Sequence, residues 1–210
     1  MRRTVLSAAG LLGAVALAGP ALRRTALRSG ATDAEVAAAL PGDDLVPGAR
    51  VVMDRATTLP ADPATVWPWI VQLGRRRAGW YFPAWVEALI PRERRGLRRI
   101  DARWQGLAPG DVVPDWGGPD AAFEVVTLER PRALVYRRED ARPGREPMRV
   151  SWALVLTAPP GGGTRLHLRL RINSLGRRAP ALVTTFGGLM DLATVEPMFT
   201  GLRERLTAPG

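Results

Sequence analysis

At 210 residues the chain is expected to be one domain with appendages, long enough for a sizeable core, and nothing in it suggests two comparable domains. It has no cysteine and one histidine, which excludes disulfides, thiolate catalysis, cysteine-ligated metals and multi-histidine metal sites. A formal charge of +10 would ordinarily point to nucleic acid or an anionic surface, but all thirty basic residues are arginines spread along the chain, as an arginine-rich codon usage alone would produce; no nucleic-acid partner is expected.

Residues 1–24 differ in character from the rest. Arg2 and Arg3 precede an uncharged apolar run from Val5 to Leu22, and Arg23, Arg24 and Arg28 follow it. The run reads either as a signal peptide, with Ala16-Leu17-Ala18 as an A-x-A cleavage site, or as a short membrane anchor rich in Ala and Gly. The protein is therefore expected to be membrane-associated through residues 4–22, or secreted. Residues 25–48 read as a loosely packing linker with one small helix, because Thr32 and Glu35 have the spacing of a capping box and Pro41-Gly42 stops it.

The folded domain is expected over residues 49–208. Arg50 to Leu59, rich in β-branched residues, is a first strand. Asp62 then caps a helix with Pro63 at its first position, and Val66, Ile70 and Leu73 form its apolar stripe. Pro68 predicts a bend and Gly74 a C-cap, and Arg75, Arg76 and Arg77 read as a solvated helix end. A second short helix runs from about Phe82 to Leu89. This stretch holds Trp67, Trp69, Trp80, Tyr81, Phe82 and Trp85, an aromatic surface that must be buried against a sheet or a ligand.

Arg92 to Trp104 reads as loop or short helix, and Gly106 to Pro114 as a turn entering a short strand. Asp115 to Asp120 is a Gly-rich loop presenting Trp116, a candidate lid. Four strands follow with short connections: Ala122 to Glu129, Ala133 to Glu139, Arg149 to Ala158 and Thr164 to Asn173. This is the spacing of an antiparallel meander. In the last strand Leu166, Leu168, Leu170 and Ile172 alternate with Arg165, His167, Arg169 and Arg171, so one face is core and the other water. His167 on that basic face reads as an exposed or edge residue, neither base nor ligand. Ala181 to Leu206 is a long helix with a drifting stripe of Leu182, Phe186, Leu189, Leu192, Val195, Phe199, Leu202 and Leu206, interrupted by Gly187-Gly188 and Pro197.

The order of these elements is that of the α+β helix-grip fold, a curved antiparallel sheet wrapped around a long C-terminal helix, with two short helices after the first strand. The run Thr65 to Gly74 (TVWPWIVQLG) followed by Ala78-Gly79-Trp80-Tyr81 resembles the VWPWLVQ-G-GWY pattern of actinobacterial proteins of the SRPBCC superfamily, the START-like and polyketide-cyclase-like group. Residues 31–35 and 40–43, the Gly110-Asp111 turn and the ending from Asp191 to Leu206, with Met198, Gly201 and Leu202, share that resemblance; Pro197 departs from it. The resemblance implies a cavity between sheet and helix, and superfamily members bind lipids, hormones or polyketides, a minority catalysing cyclisation or dehydration.

The expected function is binding of a hydrophobic small molecule, lipid or polyketide-like, with no cofactor and no metal implied. Candidate lining residues are Trp80, Tyr81, Trp85, Trp104, Trp116, Tyr136, Trp152, Met190 and Met198. The alternative is a cyclase or dehydratase, which needs an acid or base in the cavity: Asp115, Asp120, Asp191 or Glu196, with Tyr136 as a proton donor. Asp191 and Glu196 are expected on the solvent side of the last helix.

Overall fold

The computed structural model describes residues 19–116, 121–141, 147–173 and 181–208. The N-terminal run up to residue 18, Asp120 and the side chain of Leu182 lie outside the described residues. Among those described, no helix is long and apolar enough to cross a membrane.

Residues 19–27 are helical (α1) and lead into the two-residue edge strand β1 (Arg28–Ser29) and the helix α2 (Asp33–Ala37). The Thr32–Glu35 capping box is formed in both directions. Next come β2 (Val51–Leu59), α3 (Pro63–Gln72), α4 (Ala84–Glu87), β3 (Val112–Pro114), β4 (Ala122–Glu129), β5 (Ala133–Asp140), β6 (Met148–Thr157), β7 (Thr164–Ile172) and α5 (Ala181–Thr207), with 3-10 turns at Arg92–Arg94 and Ala102–Trp104. The strands form one sheet in the order β1-β2-β7-β6-β5-β4-β3, antiparallel except for the β1–β2 pair. A register shift between Val125 and Thr127 bends β4. The architecture is the α+β helix-grip fold.

The inner face of the sheet carries the main core. Leu59, Leu134, Tyr136, Leu154, Leu156, Leu166 and Leu168 pack with Val66 and Ile70 of α3 and with Val195, Met198, Phe199 and Leu202 of α5. Spacings of three and four put those α5 residues on one side of the helix. Its N-terminal half departs from the expected stripe, for Phe186 is 62% exposed. At Gly201 the helix crosses the α3–α4 connection so closely that a Cβ would stand 2.3 Å from the Tyr81 carbonyl oxygen.

The outer face is not left to water. Leu40 and Leu45 pack against a second apolar cluster of Ala133, Val135, Ala153 and Val155, and Val46 is buried. The segment expected to be a loose spacer is thus a layer of the fold. This corrects the reading of His167, which is 5% exposed with Nε2 2.7 Å from Asp54 Oδ1. Arg169 beside it donates to Asp54, Asp43 and the carbonyls of Glu35, Val36 and Ala38. A strand's alternation tells which side chains share a face; what covers that face is decided by residues over 120 positions away.

Two local expectations also change. The α3 helix runs unbroken through Pro68, and its cap is Leu73, while Gly74 opens a tight hairpin closed by the pair Gly74 N to Gly79 O, 3.3 Å, and Gly79 N to Gly74 O, 3.0 Å. Of the three arginines in that hairpin, Arg76 is exposed as expected, while Arg75 and Arg77 are tied down rather than solvated. Arg75 donates to the Asp115 carbonyl at 2.8 Å, and Arg77 to the carbonyls of Val71 and Trp104.

Candidate functional site

The Gly74–Gly79 hairpin delivers Trp80 to the end of the inner face where β3, β4, β5 and β6 lie side by side. A Cβ at Gly74 would stand 2.8 Å from Val113 Cγ1, so the hairpin needs glycine to sit this close to β3. Trp80 Nε1 donates to the Thr194 carbonyl of α5 at 3.0 Å, which fixes the ring between helix and sheet.

Tyr136 and Trp152 are directly opposite each other in the β5–β6 ladder, and their rings stack at 5.5 Å and 22°. Trp80 stacks on the other side of Trp152 at 6.2 Å and 22°. Phe123 of β4 tilts against both Tyr136 and Trp152, at 6.0 and 6.1 Å. Trp116, half exposed, meets Trp80 edge-on at 5.3 Å. Five rings thus form one continuous group, with Leu73, Gly74, Val113, Pro114 and Asp115 completing the lining of the space between them. That space measures about 20 Å³, room for about one water. The open hollow expected beneath the helix is closed in this conformation, because Tyr81, Met198, Phe199 and Leu202 fill the interface below it.

One end of the group is polar. Arg138 pairs with Asp140 at 2.6 Å and with Asp115 at 3.3 Å, and Asp115 Oδ1 accepts from the Trp116 backbone N–H at 2.7 Å. Tyr136 is buried, which pushes its hydroxyl well above the usual phenol range, with Arg77 acting weakly in the other direction. It is therefore a neutral hydroxyl, able to donate or accept a hydrogen bond but not to lose its proton near neutral pH.

Of the nine candidate lining residues, four meet here: Trp80, Trp116, Tyr136 and Trp152. Tyr81 is fully buried elsewhere in the core, its hydroxyl donating to the Trp69 carbonyl at 2.9 Å and its ring under the Arg205 guanidinium at 4.7 Å. Trp104 lies beneath Arg77 and Arg103, 5.0 and 5.7 Å from its ring centre. Met198 is a core residue at 1% exposure, whereas Met190 and Trp85 are 50% and 68% exposed. Phe123 was missed. Its signal was available, since Phe123 and Val125 alternate in β4 on the face that pairs with Tyr136.

Among the candidate acids, Asp115 borders the aromatic group. Asp191 does not point to solvent as expected; it pairs with the buried Arg55 at 3.0 Å, and burial pushes its carboxyl up against the opposing charge of that arginine. Glu196 is exposed and accepts from the Ser29 hydroxyl at 2.6 Å. Among the described residues no group of three or more His, Asp or Glu side chains is placed to hold a metal.

A second, wider cleft of about 480 Å³ opens on the outer side of the sheet, between α1 and the outward side chains of β2 and β7. Most of its cations are already paired: Arg28 with Asp33, Arg169 with Asp54 and Asp43, Arg171 with Asp43.

No family model matches the chain. No curated protein matches it either. Solved structures similar to it include a protein of Rhodobacter sphaeroides, 16% identical, spanning 76% of this chain and 94% of that one with a TM-score of 0.46. A protein of Mesorhizobium loti is 18% identical over 75% of this chain and 99% of its own, TM-score 0.42. Ara h 8.0201 is 13% identical over 74% and 96%, TM-score 0.39. Likeness at this level assigns neither a ligand nor a reaction.

Proposed function

We propose that the protein binds a hydrophobic small molecule of lipid or polyketide-like character, as its resemblance to the SRPBCC superfamily implies, and that the aromatic group around Trp152 is the place. The observation that carries this is the continuous set of five rings, Trp116, Trp80, Trp152, Tyr136 and Phe123, around a small space with an Asp115–Arg138 pair at its end. Ligand sites of this class are lined by apolar and aromatic side chains with a few placed polar groups, and span roughly 300 to 1,000 Å³. Binding therefore includes opening. Trp116 is the ring to move, because it is half exposed and leaves the core intact when it swings away from Trp80.

Intrinsic fluorescence tests the proposal. Titration with palmitate and with an anthraquinone should quench or shift the emission in a saturable way, and Trp152→Ala should abolish the response. An unchanged spectrum with both probes would remove the reading.

The position of Asp115 favours one second reading, a cyclase or dehydratase in which this carboxylate moves a proton at the bound substrate. Asp115→Asn would then stop turnover of a polyketide substrate while leaving its binding intact. Association with a membrane through residues 4–22, or secretion, is part of the same proposal, and fractionation of cells producing the full chain tests it.

A further inference from the structure

The connection between α3 and β3 shows a contrast between a firmly held base and an apolar outer side. At the base, Arg205 of α5 is fully buried and donates to Glu87 and to the carbonyls of Phe82, Gly96 and Leu97. Arg98 ties Glu87 to Glu204 at 2.8 and 2.9 Å, and Glu204 also accepts from the first N–H of α4. Glu87 thus fixes the inward side of α4. Trp85 and Leu89, four positions apart and on one face, stand 68% and 80% exposed on the other side. Arg92 and Arg94 follow across Pro91, both exposed.

A tryptophan and a leucine held in water by a rigid base lack the contact that would make their exposure favourable. Tryptophan is the side chain most suited to the boundary between water and hydrocarbon, and arginines beside it supply the charge that anionic headgroups complement. Each such cation contributes about 1 kcal/mol at an anionic bilayer surface. Glu93 is the single exposed acid between Leu89 and Arg99, so the outward balance is positive.

We infer that the outward side of α4 and the turn after it, Trp85 and Leu89 with Arg92 and Arg94, docks on an anionic lipid bilayer. The inference is independent of the aromatic ligand site and of residues 4–22, and its test separates it from both by the difference that Trp85 makes to the signal. Full-length protein and the Trp85→Phe variant are mixed with vesicles of phosphatidylcholine and phosphatidylglycerol carrying brominated acyl chains, which quench only indoles at the acyl boundary. The expected result is quenching in the wild type that Trp85→Phe removes. Arg92→Ala combined with Arg94→Ala should raise the concentration of anionic vesicles needed for the Trp85-dependent part of the quenching roughly thirtyfold, with no such change on neutral vesicles. All three side chains are exposed, so the variants keep the wild-type melting temperature. Two results would overturn the inference: equal quenching in wild type and Trp85→Phe, or a dimer in sedimentation that Trp85→Ser with Leu89→Ser disperses, which would give the face to a second copy of the chain.

Discussion

Arg205 Nη2 lies 2.6 Å from Glu87 Oε1, with the arginine side chain 0% and the glutamate 6% exposed. This pair joins the last turns of α5 to α4, and its guanidinium lies over the buried Tyr81 ring. A buried cation that loses its partner is strongly destabilising, because the desolvated charge remains. Glu87→Ala should therefore lower stability by about 3 kcal/mol, a fall of roughly 6 to 12 °C in melting temperature for a chain of this size, read by differential scanning calorimetry. A fall of less than 2 °C, on the order of the effect of a surface pair, would show that water reaches Arg205.

Two glycines of α5 should respond in opposite directions to the same substitution. A Cβ at Gly187 meets nothing within 4 Å, whereas one at Gly201 would stand within 2.6 Å of the Tyr81 and Phe82 backbone. In an open helical position alanine is favoured over glycine by about 0.8 kcal/mol, so Gly187→Ala should raise the denaturation midpoint. Gly201→Ala should lower stability by roughly 2 kcal/mol, since backbone on both sides must move apart. Equal effects from the two would place α5 farther from the α3–α4 connection.

Acid should unfold the protein through the outer layer. For Glu35, the Arg165 hydrogen bond is the main cause that takes its carboxyl from an ordinary 4.5 to about 2. For Asp54, burial pushes the carboxyl up, but hydrogen bonds from His167 and Arg169 overcome that and hold it below the usual range. Groups lowered in this way stabilise the folded state above their unfolded values, and that contribution disappears as pH falls through the folded ones. Asp191, raised by burial, acts in the opposite sense and offsets part of the loss. Chemical denaturation between pH 5 and 2 should show stability dropping over about two units below pH 4.5, with a shallower slope in Glu35→Gln. An unchanged slope in that variant would mean the Glu35–Arg165 contact is absent in solution.

Strand limits were legible from local signals. Thr164 to Asn173 was expected and Thr164–Ile172 found, because leucine and arginine alternate strictly between a Gly-rich turn and Asn173. The Asp62 cap was equally readable, its carboxylate accepting from the N–H groups of Ala64 and Thr65 at 2.9 and 3.0 Å. Long-range pairing was not. Whether Arg169 meets water or the carbonyls of Glu35, Val36 and Ala38 depends on where the N-terminal segment packs, and hydropathy assigns an arginine to water by default. The candidate site was legible in kind, as an aromatic lining, and not in membership. Trp80, Trp116, Tyr136 and Trp152 meet because β5 and β6 pair in one register and Trp80 is hydrogen-bonded to α5, while Trp85, only five positions after Trp80, stands on the opposite side of a short helix.

The measurement that bears most directly on the proposed site is the nuclear magnetic resonance spectrum of the seven indole N–H groups during titration with palmitate and with an anthraquinone. The Trp80, Trp116 and Trp152 signals should move together and saturate with at least one of the two, while those of Trp67 and Trp69 in the core stay in place. Signals of Trp80, Trp116 and Trp152 that remain fixed with both compounds would contradict the proposed site.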